Sequence, residues 1–140
     1  MKTFVILAVS VVLVSVLFCP MVMAAPAMPD DLQIIQPDPS LPKELSAFFG
    51  KWDGADAILQ YFLIVEKINE EKASLYWWNS TYGYAPGGWQ RYEGKVSKER
   101  GKYTIWYSGR FGNTELTLRG EYLDVNTSSA QIKRRLRRVP

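Results

Sequence analysis

The middle of the chain holds a cluster of aromatic side chains suited to binding chemistry. Tyrosine and tryptophan combine a broad apolar ring with a hydrogen-bonding tip, which suits them to line a ligand cavity. Alternate residues of a strand share a face, so Tyr76 should lie beside Trp78, and Trp89 beside Arg91. We predict that these four residues bind a ligand, with Arg91 holding a carboxylate or phosphate through two hydrogen bonds. The alternative is that the rings only pack a sheet, since aromatic residues suit half-buried strands. The whole cluster comprises Tyr76, Trp77, Trp78, Tyr82, Tyr84, Trp89 and Tyr92.

Side chains that commonly carry catalysis are scarce. The chain has no histidine, and its one cysteine is Cys19. Catalysis by Ser–His or Cys–His pairs is therefore excluded, as are the usual zinc sites, which draw on cysteine and histidine. Asp53, Asp56, Glu66 and Glu93 are the candidate general acids, but their spacing shows no pair of the kind that a glycosidase needs. We expect no enzymatic activity, no cofactor and no metal site.

The N-terminus has the three parts of a secretory signal peptide. Lys2 supplies the charge, residues 4–18 form the apolar stretch, and Ala24 is the small residue before the expected cleavage point. We predict that residues 1–24 direct export to the periplasm or the cell exterior and are then removed, taking Cys19 with them. Two alternatives stay open: the stretch is long enough to remain as a membrane anchor, or Cys19 carries a lipid.

The rest of the chain divides into a proline-rich extended segment at 25–40 and one domain at 41–140. Residues 41–50 predict a short helix that ends at Gly50, and from Lys51 onward the apolar pattern has a period of two. Short strands at hairpin spacing are typical of an all-β, eight-stranded antiparallel up-and-down barrel, which is filled by side chains or holds one small ligand. The predicted strands are 52–56, 57–68, 73–79, 89–96, 102–108, 113–119, 121–125 and 130–139.

The entry to the first strand resembles the opening of lipocalin-like (calycin) barrels. The segment LSAFFGKW at 45–52 is a predicted helix followed by Gly-x-Trp. In that superfamily the helix plugs the barrel floor, and the Trp packs there under a basic side chain from the last strand. The resemblance implies that Trp52 is this floor residue and that Arg134, Arg135 or Arg137 stacks on it; we assign Arg135. Looser matches, ASLYWW at 73–78, GWQR at 88–91 and QIKR at 131–134, look like a bacterial barrel module sometimes attached to hydrolases.

A second resemblance is to small periplasmic inhibitors of secreted metalloproteases, which are also calycin barrels. They share the Gly-x-Trp entry, a mid-chain Gly-Trp and a basic C-terminus, and they act through an N-terminal trunk inserted into the protease cleft. Residues 25–40 are comparable to that trunk. The chain departs from the pattern because it lacks the disulfide of that family and because its trunk is rich in proline.

Charge at the C-terminus adds a third possibility. Five of the six residues 133–138 are basic in a chain of net charge +3, and such a patch suits an anionic membrane surface. The leading hypothesis is an exported, non-catalytic barrel that binds a small apolar or amphipathic ligand. The alternatives are a protein-binding module or protease inhibitor that acts through its N-terminal segment, and an envelope-associated structural protein. Nucleic acid is not an expected partner.

Overall fold

The computed structural model describes residues 26–56, 59–81, 87–128 and 132–140. The predicted signal peptide lies outside these ranges and stays a prediction, as do the positions of Tyr82 and Tyr84. The described residues form one short helix and eight strands. The helix α1 spans Lys43–Ser46, and the strands are β1 Gly50–Ala55, β2 Gln60–Ile68, β3 Lys72–Asn79, β4 Gly88–Glu99, β5 Lys102–Gly109, β6 Gly112–Arg119, β7 Tyr122–Thr127 and β8 Ile132–Val139.

The strands form a closed antiparallel barrel in chain order. Each strand pairs with the next, and β8 returns to pair with β1, where Trp52 lies opposite Arg138. The predicted eight-stranded up-and-down barrel is therefore confirmed. Closure leaves no free sheet edge for another chain to pair with.

The helix is shorter than the predicted span of 41–50. Pro42 precedes its first turn, and the chain must leave the helix early to enter β1. Gly50 makes this change of direction at φ 117°, a conformation that residues with a Cβ atom rarely adopt. One turn of helix is enough to bring Leu45 and Phe48 into the core, where both are buried.

The barrel interior is filled by inward-facing side chains from the strands. Those that are fully buried include Leu63, Leu75, Ile105, Leu116, Leu123 and Leu136. Gly94 lets β4 approach this core closely, because a Cβ atom there would lie 2.6 Å from Cγ2 of Ile105. Small eight-stranded barrels are expected to be packed in this way.

The floor of the barrel is closed by α1 and Trp52. The indole Nε1 of Trp52 donates a 3.0 Å hydrogen bond to the carbonyl of Phe48, and the ring is buried. The basic partner is Arg138, whose guanidinium lies 4.3 Å from the Trp52 ring centroid. The assignment of Arg135 was wrong: its side chain faces outward, and its Nε lies 2.7 Å from Oδ1 of Asp124. The reason is the alternation of β8, which turns Leu136 and Arg138 inward and Arg135 outward.

Candidate functional site

The four predicted ligand-binding residues form a block on the outside of the barrel. In the pairing of β3 with β4, Tyr76 lies opposite Arg91 and Trp78 lies opposite Trp89. Their predicted sharing of a face is confirmed. They nevertheless point away from the interior, since the intervening Trp77 belongs to the core cluster and Tyr76 does not.

These side chains contact one another. The rings of Tyr76 and Trp89 meet edge to face with centroids 6.3 Å apart, and those of Trp78 and Trp89 are 6.5 Å apart. The Arg91 guanidinium lies 4.7 Å from the centroid of the Tyr76 ring. The structure thus brings all four residues together as one aromatic surface with a single cation.

The chain's own N-terminal residues occupy part of this surface. The indole Nε1 of Trp89 donates a 2.7 Å hydrogen bond to the carbonyl of Ala27. Arg91 Nη1 lies 3.4 Å from Oδ2 of Asp31, and Nη2 donates to the Asp31 carbonyl at 3.5 Å. We call residues 26–35 the docked segment.

Glu66 is the buried anchor of this contact. Its side chain accepts hydrogen bonds from the Ser74 hydroxyl at 2.6 Å, from Arg91 Nη2 at 2.8 Å and from the backbone N–H of Gln33 at 3.1 Å. Its own carbonyl accepts the N–H of Ile35 at 2.8 Å. The residue is only 4% exposed, and burial alone would raise the pKa of its carboxyl. The hydrogen bonds outweigh burial and hold that pKa below its usual range.

Sequence reasoning considered Glu66 only as a general acid and missed its role as an anchor. A usable signal was present, because Glu66 directly follows the run of apolar and aromatic residues from Tyr61 to Val65. A β-bulge between Val65 and Lys67 shifts the local register, while Glu66 keeps the outward parity of Ile64. We call the surface formed by Ile64, Glu66, Tyr76, Trp89 and Arg91 the outer groove.

A second constellation lies inside the barrel, where Arg134 of β8 points into the core. Its guanidinium lies 4.3 Å from the centroid of the Tyr61 ring and 5.9 Å from that of Trp77. Its Nε and the hydroxyl of Tyr61 are both buried without a hydrogen-bond partner in the described part of the chain. Burial lowers the pKa of the Arg134 guanidinium, and the negative charge of Asp56 opposes this effect.

Sequence analysis named Arg134 only as one of three candidates to stack on Trp52 and did not place it in the barrel interior. The sequence does carry a signal for that position, because Arg134 has the same parity as Ile132 and Leu136, the apolar residues of the last strand. A basic residue on that parity enters the barrel if the strand keeps its register. The signal is weak because Arg134 sits within a run of arginines that resembles a solvated surface.

The described residues at the end of the barrel opposite α1 line a narrow cleft that includes Arg134. The rings of Tyr92 and Tyr107 form one wall with centroids 5.0 Å apart, and Phe111 lies at the entrance, 51% exposed. The remaining void is about 20 Å³, which holds a water molecule but no larger guest. Other lining residues are Asn79, Gln90, Thr114 and Thr127.

The outward-facing arginines near the C-terminus are paired with acids. Arg135 and Arg119 both contact Asp124, at 2.7 Å and 2.9 Å, and Arg137 Nε lies 3.0 Å from Oδ1 of Asp53. The ion pairs offset much of the positive charge that the sequence concentrates in this region. Fewer unpaired positive charges are therefore available for the expected attraction to an anionic surface.

Within the described residues, no helix has the length and apolarity needed to cross a bilayer. No group of three or more acidic, histidine or cysteine side chains is arranged to hold a metal ion in those same ranges.

No known protein family, no curated protein and no solved structure matches this chain. The resemblances to lipocalin-like barrels and to metalloprotease inhibitors stay predictions.

Proposed function

We propose that this protein binds a small amphipathic anion in the cleft at the end of its barrel opposite α1, with Arg134 as the anion anchor. The observation that carries the proposal is a half-buried guanidinium set against aromatic rings, whose buried Nε has no hydrogen-bond partner in the described residues. Arg91, the anchor predicted from sequence, is already engaged by Glu66 and Asp31.

The energetics of burial favour an anionic guest. A buried donor without an acceptor costs about 1–3 kcal/mol, and more when it carries charge. A carboxylate or phosphate beside Arg134 would supply both the missing acceptor and a counter-charge. Guanidinium groups present parallel N–H donors that suit such groups. The buried hydroxyl of Tyr61 also has no partner in the part of the chain that the structure describes, and it would offer a further donor.

The size of the cleft decides which part of the ligand enters. The void of about 20 Å³ has room for one water molecule, so an anionic head group would enter only as the side chains of Tyr107 and Phe111 move aside. The filled interior has no room for an enclosed apolar body. The apolar part of the ligand would rest at the rim, against Tyr107 and Phe111. Of the two predicted ligand types, the amphipathic one is therefore better supported than the purely apolar one.

Calorimetric titration with benzoate, decanoate and inorganic phosphate tests the proposal, with tryptophan fluorescence as a second readout because Trp77 borders the cleft. We expect the carboxylates to bind and Arg134→Met to weaken binding at least about tenfold. The matched control is Arg135→Met, which removes the same side chain one position along β8 but on the outer face. Equal binding by both variants, or no binding to the unaltered protein, would refute the proposal.

A further inference from the structure

We infer that the outer groove is a peptide-binding site for an extended acidic segment of a partner protein, and that the docked segment occupies it as a displaceable internal ligand. This site is separate from the cleft that includes Arg134. The inference rests on three observations. The groove is more buried than its occupant, most hydrogen bonds between them involve the backbone of the occupant, and one ion pair joins Asp31 to Arg91.

The outer groove and the docked segment differ in how far their side chains are buried. Ile64, Glu66 and Tyr76 lie on the outer face and are buried nonetheless. Most large side chains of the segment above them are exposed: Ile34 and Ile35 are each 45% exposed, and Leu32 is half-buried. Releasing the segment would therefore expose the groove while disturbing little that the segment itself has buried.

Most of the hydrogen bonds between the groove and its occupant are made to backbone groups of the occupant. The Glu66 carboxylate and carbonyl accept the N–H groups of Gln33 and Ile35, and Trp89 donates to the carbonyl of Ala27. Contacts to the peptide backbone accept many side-chain sequences in an extended peptide. Here they are made by two side chains and one carbonyl of the outer face and not by a free sheet edge. The occupant needs an extended conformation more than it needs this particular sequence.

One contact is selective for charge. The Asp31 carboxylate lies 3.4 Å from Arg91 Nη1, while Nη2 of the same guanidinium is held by Glu66 at 2.8 Å. Because Glu66 holds Nη2 of the Arg91 guanidinium, Nη1 is left to face the occupant. A carboxylate at this position of a partner peptide would meet the same cation, which sets the expected chemistry of the partner.

The aromatic row next to the groove extends it beyond the docked segment. Phe62 lies opposite Trp78, which lies opposite Trp89, and all three rings are only half-buried. Tryptophan and other aromatic side chains are enriched where proteins meet their partners. A partner peptide with an apolar residue beyond its carboxylate would gain contacts that the docked segment leaves unused.

The test converts the docked segment into a separate peptide without removing it. A protease site is inserted after Gln36 in the chain, the folded protein is cut there, and competitor peptides are added. The competitors are the sequence of residues 26–36 and its Asp31→Ala and Asp30→Ala variants. Asp30→Ala is the matched control, because the adjacent acid Asp30 makes no ion pair with the described residues.

We expect the unaltered peptide and the Asp30→Ala peptide to displace the cut segment equally, and the Asp31→Ala peptide to be about threefold weaker. Arg91→Met in the protein should weaken binding of the unaltered peptide by about tenfold and should abolish the difference between the two aspartate variants. Arg135→Met, a cation elsewhere on the outer face, should change neither value. In the uncut chain, Asp31→Ala should increase the affinity for added peptide, a second readout that does not depend on the cut protein staying folded.

Three results would overturn the inference. The first is that no peptide displaces the cut segment, which would make it a fixed part of the fold. The second is that the Asp31→Ala and Asp30→Ala peptides compete equally. The third is that the uncut protein dimerises when Asp31 is replaced, which would identify a second copy of the chain as the partner instead.

Discussion

The guanidinium of Arg134 lies over the ring of Tyr61, 4.3 Å from its centroid, in a barrel core that is otherwise largely apolar. The pairing gains a cation–π attraction but costs part of the hydration of the guanidinium, and its Nε has no acceptor among the described residues. We therefore expect Arg134 to contribute little to the stability of the fold, as the proposed role in ligand binding requires. Unfolding measurements test this expectation, and the calorimetric titration tests the ligand role itself.

The first prediction is that Arg134→Met leaves the free energy of unfolding within about 1 kcal/mol of the unaltered protein, since relief of the desolvated charge offsets the lost ring contact. The comparison variant is Leu136→Ala, two residues along β8 and fully buried, which should cost about 2–5 kcal/mol. Urea denaturation followed by tryptophan fluorescence measures both. A loss for Arg134→Met as large as that for Leu136→Ala would show that the arginine holds the barrel together.

The second prediction concerns pH and the docked segment. Because hydrogen bonds hold the pKa of Glu66 below its usual value of 4.5, the carboxylate stabilises the docked state fully above that value. The stabilisation is lost as pH falls through the lowered pKa of the docked state. The charged or titratable groups that face Glu66 here are Arg91, Asp31 and Tyr76. Burial and the neighbouring Asp31 raise the pKa of Tyr76 to about 12, so this hydroxyl does not titrate in the same range.

Amide hydrogen exchange at Gln33 and Ile35 reports this opening directly, since both N–H groups are bonded to Glu66. We expect their protection to fall below about pH 4.5 once intrinsic exchange is corrected for, and Glu66→Gln to remove most of that dependence. Asp124→Asn is the control: hydrogen bonding to Arg135 also lowers the pKa of Asp124, but on another part of the outer face. An unchanged pH profile in Glu66→Gln would contradict the role assigned to Glu66.

The strands were predictable because their signals are local. Alternating residues and short turns place β5 and β6 almost as observed, and the turn between them closes with Gly109 paired to Gly112. Closure of the barrel followed from the number of strands and the absence of helical segments between them. Each of these inferences depends on residues close together in the chain.

The position of the site was not predictable because it depends on contacts distant in sequence. Ile64 and Tyr76 are apolar or aromatic residues on the outer face of their strands. The same sequence pattern arises when a strand is buried on both faces within a core and when another segment of the chain covers its outer face. Here that face carries the docked segment, held through a bond between Trp89 and Ala27 that are 62 residues apart. Period-two reasoning shows which residues share a face, but it cannot tell which face is the interior.

The third prediction concerns the floor, where the basic partner of Trp52 is Arg138 instead of Arg135. Besides stacking on the indole, Arg138 donates hydrogen bonds to the carbonyls of Phe49, at 2.7 Å, and of Ala47. Ala47 is the C-terminal cap of α1 and Phe49 lies between α1 and β1, so the arginine ties this connection to β8. Arg138→Ala should lower the free energy of unfolding by about 1–3 kcal/mol, because two charged hydrogen bonds and the ring contact are lost together.

Two further variants make the floor prediction specific. Arg138→Lys should recover only part of the loss, because an ammonium group cannot span both carbonyls while lying flat on the indole ring of Trp52. Arg135→Ala should change stability little, because Asp124 keeps its contact with Arg119 at 2.9 Å and exposed ion pairs contribute little. Thermal unfolding followed by near-ultraviolet circular dichroism, which senses the environment of Trp52, distinguishes the three. If Arg135→Ala proved as damaging as Arg138→Ala, the floor would not depend on the contact with Trp52, and general loss of positive charge from β8 would explain both effects.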